Sequence, residues 1–350
     1  MSDQTLAWIA RSAAHSLDEY WDDELGGWGR KQKASLAWDN AWALSHDRAH
    51  ALVALTAEQR LFDPVWGGIY QYSAASDWDH PHFEKLMTYQ AGAIDNFAEA
   101  YLVTHDPKML AAAESVRRYV DAFLRGDDGG FYATEDADLN AHDPSKPFLS
   151  GHDYYAKDDA ARRALGVPRV DTHEYADLNG LAIAAYATLY QAGGDARVRG
   201  EAEQAAARIL STHTTKRGGV AHDASPDASV LHLADNAAFA WGLLRLHDVT
   251  GDASYLDAAT RIADFMQKEL GDATTGALHA STPDPDEVGV FARPFVDFES
   301  EVMAVRVLAK LGRKDAARRA LTAVATPEQI DARGRMLGDL LLAIDDVTGQ

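Results

Sequence analysis

The sequence predicts an all-α fold, a toroid of stacked helical hairpins whose short extended loops gather at one end. Three observations predict it. First, a paired glycine recurs after amphipathic stretches, at Gly26-Gly27-Trp28, Gly67-Gly68-Ile69-Tyr70, Gly129-Gly130-Phe131-Tyr132 and Gly218-Gly219-Val220, with a weaker copy at Gly276-Ala277-Leu278. A recurring order of helix, glycine turn, short extended segment and helix is an internal repeat. Second, helices alternate in character. Leu181 to Tyr190 is apolar nearly all round, which suits an inner helix, whereas the next stretch carries Arg197, Arg199, Glu201, Glu203 and Arg208, which suits an outer one. Third, Asp106, Asp195 and Asp252 stand at equivalent turns, where a carboxylate accepts from the free N–H groups of the following helix.

The elements follow in order. Leu6, Ile9, Ala10, Ala13 and Leu17 share one face, predicting a helix over 3–22. One or two helices span 36–61 and end before Asp63-Pro64. Apolar spacings of three and four predict helices over 83–104, 108–124, 177–192, 197–213, 234–249 and 254–270, then over 298–311, 313–324 and 327–346. The step from Asp106 to Asp195 exceeds that from Asp195 to Asp252 by one insertion, residues 139–172. Pro144, Pro147 and Pro168 make it irregular, a short helix fits 156–165, and its place suits a rim or a lid. Because each hairpin needs neighbours to bury its apolar face, residues 1–350 read as a single domain.

Composition narrows the function. With 54 acidic against 33 basic residues the formal net charge is −21, a surface that repels nucleic acid and anionic membrane. There is no cysteine, so disulfides, thiolate metal sites and cysteine nucleophiles are excluded. The first twenty residues lack the order of a signal peptide, and no apolar run reaches about 18 residues. The expected setting is the cytoplasm. No cofactor and no metal is expected.

Candidate chemistry lies in the loops. The densest stretch joins Tyr70 and Tyr72 to Asp77-Trp78-Asp79-His80-Pro81-His82-Phe83-Glu84. Pro81 suits a first helical position, which puts His82 and Glu84 in the first turn, where the helix terminus keeps an imidazole neutral and able to act as a base. A plain capping segment is the alternative. The second stretch runs from Tyr132 to Asp138. In extended chain Tyr132, Thr134, Asp136 and Asp138 share a side, and paired carboxylates are what acid/base sugar chemistry needs. An exposed acidic turn is the alternative. His173, His232 with Asp235, and Arg293 precede inner helices, where Asp235 also suits an N-cap. Rings beside carboxylates and imidazoles describe a carbohydrate cleft, with Tyr70, Tyr72, Trp78, Tyr132, His173, His232 and Arg293 as binding residues.

On Gly67-Gly68-Ile69-Tyr70, His82-Phe83-Glu84-Lys85 with Gln90-Ala91, and Gly130-Phe131-Tyr132 with Glu135-Asp136-Ala137-Asp138, the chain resembles the helical domain of the spermatogenesis-associated, thioredoxin-domain proteins. Asn179-Gly180-Leu181 and Asp235-Asn236-Ala237 are weaker matches. The resemblance implies an (α/α)6 barrel, a six-hairpin toroid similar to six-hairpin glycosidases and N-acylglucosamine 2-epimerases. It departs from the family where a paired-cysteine thioredoxin-like domain is expected. Two activities remain open. His82, with His80, His173 or His232, would move a proton in a sugar epimerase or isomerase. Two of Glu84, Asp136, Asp138 and Asp235 would act in a glycoside hydrolase. The partner is then a small carbohydrate. A non-catalytic barrel that binds a ligand or a protein partner is the alternative.

Overall fold

The computed structural model describes residues 1–284, 286–289 and 292–349. Among them the α-helices are α1 (Asp3–Glu19), α2 (Ala37–His46), α3 (Arg48–Glu58), α4 (Met87–Thr104), α5 (Pro107–Phe123), α6 (Gly151–Tyr155), α7 (Asp159–Leu165), α8 (Ala176–Gly193), α9 (Ala196–Thr212), α10 (Leu233–Thr250), α11 (Ala253–Phe265), α12 (Phe298–Lys310), α13 (Lys314–Val324), α14 (Pro327–Arg333) and α15 (Gly338–Thr348). Six of them close an inner ring in the order α2, α4, α8, α10, α12, α15 and back to α2. The outer helices α3, α5, α9, α11, α13 and α1 each lie against one inner partner. This is an (α/α)6 barrel. The expected helix over 327–346 is divided at Gly334 into α14 and α15, and the one over 156–165 is α7, preceded by the unexpected short helix α6.

The expected aspartate caps of the outer helices hold. Asp106, Asp195 and Asp252 each cap α5, α9 and α11, accepting from Lys108, Arg197 and Ser254 N–H. Inner helices are apolar because both flanks are covered. The α8–α10 contact is so close that a Cβ on Gly180 would lie 2.3 Å from the Ala238 carbonyl oxygen, and one on Gly242 2.4 Å from that of Gly180. Only glycine allows that approach.

The glycine repeat has a structural partner that the sequence alone did not pair with it. The fourth residue of an inner helix clamps the backbone just after each later glycine turn. Gln90 bonds both N–H and C=O of Ile69, Asn179 those of Phe131, and Asn236 those of Val220. In the last copy Glu301 accepts from Leu278 N–H. Each clamped residue also forms a single antiparallel bridge back to the end of the preceding outer helix, as in Arg125 with Phe131. Buried backbone groups of a loop must be paired somewhere, and here an amide side chain does it.

Short strands sit at the same end: β1 (Tyr72–Ser73) with β2 (Pro81–His82), and β3 (Lys85–Leu86), β4 (Thr134–Glu135) and β5 (Val170–Asp171) as an antiparallel sheet. They correct the expectation of a helix from residue 83. Tyr72 pairs with His82 and Lys85 with Glu135, so α4 begins at Met87, and His82 and Glu84 precede it. The pairing of these segments with β1 and β4 outcompetes an early helical turn.

Beneath that sheet lies a buried ionic cluster. Lys85 Nζ is 2.9 Å from Asp63 Oδ2 and Arg162 Nη1 is 2.6 Å from the same oxygen, with all three side chains sealed from solvent. Tyr119 and Tyr155 donate to Glu135 at 2.7 and 2.5 Å. Arg162 and Tyr155 belong to the 139–172 insertion, so the insertion is tied to the barrel through buried charge.

Candidate functional site

Residues from the N-terminal halves of α2, α4, α8, α10 and α12 surround a cavity of about 440 Å³ inside the ring, the axial cavity. Trp38, Tyr89 and Trp241 supply rings to its wall, and Asp95, Asn96 and Glu299 supply polar groups. The site follows from the ring: each inner helix turns one stripe toward the axis, and polar residues on that stripe have only the cavity to face. Asp95 Oδ1 is buried and has no hydrogen-bond partner in the protein. Glu299 pairs with Arg333, whose hydrogen bond holds its carboxyl below the ordinary value.

Trp38, Asp95 and Trp241 also border a deeper compartment of about 310 Å³, lined by Glu99, Arg245, Arg306, Lys310 and Asp346. The Arg306 guanidinium stacks over Trp241 at 4.4 Å and Trp38 at 5.4 Å, and its Nε donates to Asp346 at 2.8 Å. It thus fixes the two indoles that wall the upper cavity. Glu99 lies one turn beyond Asp95 on α4. Burial, then the Asp95 charge, push its carboxyl up to about 7 against the pull of Arg245 and Arg306. A neighbouring pair whose second member holds its proton near neutrality can supply both forms of a carboxyl.

A second group of residues lies at the rim. A pocket of about 350 Å³ is bordered by Asp177, His222, His232, Asp235, Phe295 and Asp297. Asp177 lies one turn before Leu181, a residue of the axial cavity, so the rim and the axis share a face of α8. His222 Nδ1 is 2.9 Å from Asp235 Oδ1, and this hydrogen bond raises the imidazole above its ordinary value. Burial and then Asp235 raise the Asp177 carboxyl. The rings of His173, Tyr175 and His222 form a ladder, at 5.3 and 4.2 Å between centroids. The ligand atoms of Asp177, His222 and Asp235 lie within 4.8 Å of one another, the group among the described residues able to hold a metal.

The sequence candidates divide. Asp235, His232 and His173 do come together, the first two bordering the rim pocket and His173 beginning the ring ladder. Asp235 is not the N-cap of α10. His232 stands at that position, and Asp235 in the first turn instead accepts from Asp177 N–H of the neighbouring helix. Arg293 is exposed in the loop before α12. His80 is an exposed partner of Asp77 at 2.8 Å, and His82 stacks on Tyr72 with Nε2 3.7 Å from Glu84. None of these residues lines the axial cavity. Asp136 pairs with His142 at 3.2 Å, and Asp138 accepts from Gly151 N–H at the start of α6. Tyr132 is half-buried beside the Glu174–Arg208 pair.

Two aromatic candidates are corrected. Trp78 is buried and its indole donates to the Leu25 carbonyl, filling the space beside Gly27 where a Cβ would lie 2.8 Å from the ring. Tyr70 is buried against Phe83, Tyr155 and Lys85. Both are scaffold rather than sugar-stacking surface. The residues missed are Trp38, Tyr89, Asp95, Glu99, Trp241 and Glu299 at the axis and Asp177 and His222 at the rim. The available signal was a polar residue such as Asp95 or Glu99 on an otherwise apolar inner helix.

No protein-family model matches the chain. It is 24% identical over 296 residues to an uncharacterized protein of Caenorhabditis elegans, a match covering 72% of this chain and 40% of that protein. It is 30% identical over 148 residues to spermatogenesis-associated protein 20 of Homo sapiens, covering 38% of this chain and 19% of that protein. The matches thus span less than half the length of these relatives. Among solved structures it is similar to cellobiose 2-epimerase from Spirochaeta thermophila (TM-score 0.71, 15% identity, 99% of this chain and 97% of that one). It is likewise similar to a D-mannose isomerase (0.69, 12%, 99% and 98%) and to an unsaturated glucuronyl hydrolase specific for heparin (0.67, 11%, 99% and 98%). At these identities the likeness is one of fold, and it agrees with the six-hairpin barrel that the resemblance implied.

Proposed function

We propose that the protein is a carbohydrate-active enzyme that holds a sugar in the axial cavity and cleaves a glycosidic bond with paired carboxylates. The observation that carries this reading is Asp95, a cavity carboxylate with an unpartnered oxygen in a wall that also holds Trp38 and Trp241. An orphaned buried acceptor is costly unless a ligand or water supplies its donor, and sugar hydroxyls are such donors. Trp38, Tyr89 and Trp241 offer apolar faces to a pyranose. Asp95 borders both the axial cavity and the deeper compartment, where Glu99 stands one turn beyond it, so two carboxyls meet along one path. In this reading Glu99, whose carboxyl burial pushes up to about 7, protonates the leaving oxygen while Asp95 acts on the anomeric carbon or its water.

A second reading, epimerisation or isomerisation, is favoured by His222 and His232 at the rim. It requires an imidazole to reach the carbon beside an open-chain carbonyl. The cellobiose epimerase and mannose isomerase likenesses make sugars the first compounds to try. Incubation with aryl glycosides and with free aldoses, followed by NMR of the anomeric region, separates the two. Release of a reducing sugar that stops in Asp95→Asn supports hydrolysis. A C2 or carbonyl change without cleavage supports the second reading. No conversion of either class would reject both.

A further inference from the structure

We propose that Asp177, His222 and Asp235 form a site for one divalent transition-metal cation at the rim of the barrel. The proposal is independent of the reaction assigned to the axial cavity. One ring nitrogen and two carboxylate oxygens lie within 4.8 Å of one another. Donors about 2.0–2.2 Å from a tetrahedral ion stand about 3.3 Å apart, so a modest side-chain closure completes the set.

A second observation points to a ligand there. Asp235 is 1% exposed, and its Oδ2 is buried with no hydrogen-bond partner. Its other oxygen is already engaged, by His222 Nδ1 at 2.9 Å and Asp177 N–H at 3.2 Å. The free oxygen is closed to solvent and unpaired, on a residue whose group already brings three ligand atoms within 4.8 Å of one another. The donors are also held in place. Stacking on Tyr175, at 4.2 Å and 13° between planes, fixes the His222 ring, and Asp177 and Asp235 stand in the first turns of the rigid neighbours α8 and α10. Buried like charges at two helix starts are costly unless something positive joins them.

The donor set selects the ion. One imidazole and two carboxylates suit Zn²⁺, Co²⁺ or Mn²⁺ and lack the soft sulfur that Cu(I) prefers. Three protein donors leave a position open toward the rim pocket, where water or a ligand oxygen would bind.

The test is titration of the chelator-treated full chain with Co²⁺ and Zn²⁺, read by calorimetry and by Co²⁺ visible absorption. One saturable equivalent with a micromolar or tighter Kd is expected, together with a metal-dependent rise in Tm. His222→Gln and Asp235→Asn should each weaken binding at least tenfold and lose the Tm rise. The His222 side chain is half exposed, so that variant keeps the fold even where the buried one does not. Weak binding of many equivalents, or a His222→Gln protein that binds as well as the wild type, would assign the cations to the acidic surface and overturn the site.

Discussion

The Asn179 side chain bonds both backbone groups of Phe131, accepting from its N–H at 2.8 Å and donating to its carbonyl at 3.0 Å. Asn179→Leu would bury two unpaired backbone groups under the mouth of the barrel. The expected cost is roughly 2–4 kcal/mol, read as a lower midpoint in urea unfolding. An unchanged midpoint would mean that the loop finds other partners.

Asp95→Asn keeps the size of a side chain with an unpartnered oxygen and removes its charge. Turnover of the sugar substrate should fall about 10²–10⁴-fold, with Tm little changed because the substitution keeps the shape of the side chain. A loss of Tm parallel to the loss of rate would make Asp95 structural instead.

His82→Ala should leave turnover within a few-fold of wild type, because His82 lies in β2 stacked on Tyr72 and outside the axial cavity. Steady-state kinetics on whichever glycoside or aldose the protein turns over decide it. Abolished turnover would return His82 to the mechanism.

Stability should fall as pH rises from about 5 to 8. Burial pushes the Glu58 carboxyl up to about 8, against the pull of Ser35 and Asn40. An acid whose folded value is raised is stable in its protonated form, so its contribution is complete below the unfolded value near 4.5 and is lost as pH climbs through 8. Glu58→Gln should flatten the dependence of Tm on pH and raise Tm at pH 8. An unaltered profile would remove Glu58 as its source.

Asp63 works in the opposite sense. Burial alone would raise its carboxyl, but Lys85 and Arg162 outweigh burial and hold it below the ordinary value. That contribution is present above the unfolded value of 3.8 and is lost as pH falls through the lower folded one. Asp63→Asn leaves two buried cations without their shared anion and should cost about 3–5 kcal/mol, with the 139–172 segment the first to become cleavable by protease. Intact resistance to protease would show that the aromatic contacts of Tyr154 and Tyr155 hold the segment unaided.

The toroid was legible because its signals are local. Paired glycines, the Asp106, Asp195 and Asp252 caps and the alternation of apolar with charged helices all lie within one hairpin. The site was legible only where a motif sat at a helix start, as with Asp235 and His232. Trp38, Asp95 and Trp241 meet across the axis from three helices, and no spacing along the chain encodes that meeting. Trp78 misled for the complementary reason: a ring beside acidic residues reads as a ligand platform until the cavity beside Gly27 is seen to contain it. His82 misled because Pro81 is as good a strand edge as a helix start, and only the pairing with Tyr72 decides between them.

The amide clamps at the fourth position of the inner helices separate two jobs that a loop usually combines. Gln90, Asn179 and Asn236 secure the root of each loop to the helix below it, through main-chain atoms that any sequence provides. Beyond the root, the exposed positions of a loop need not pair these backbone groups themselves. Such a rim can be re-lettered at its exposed positions, like teeth on a comb, while the clamped roots and the ring beneath retain their shape.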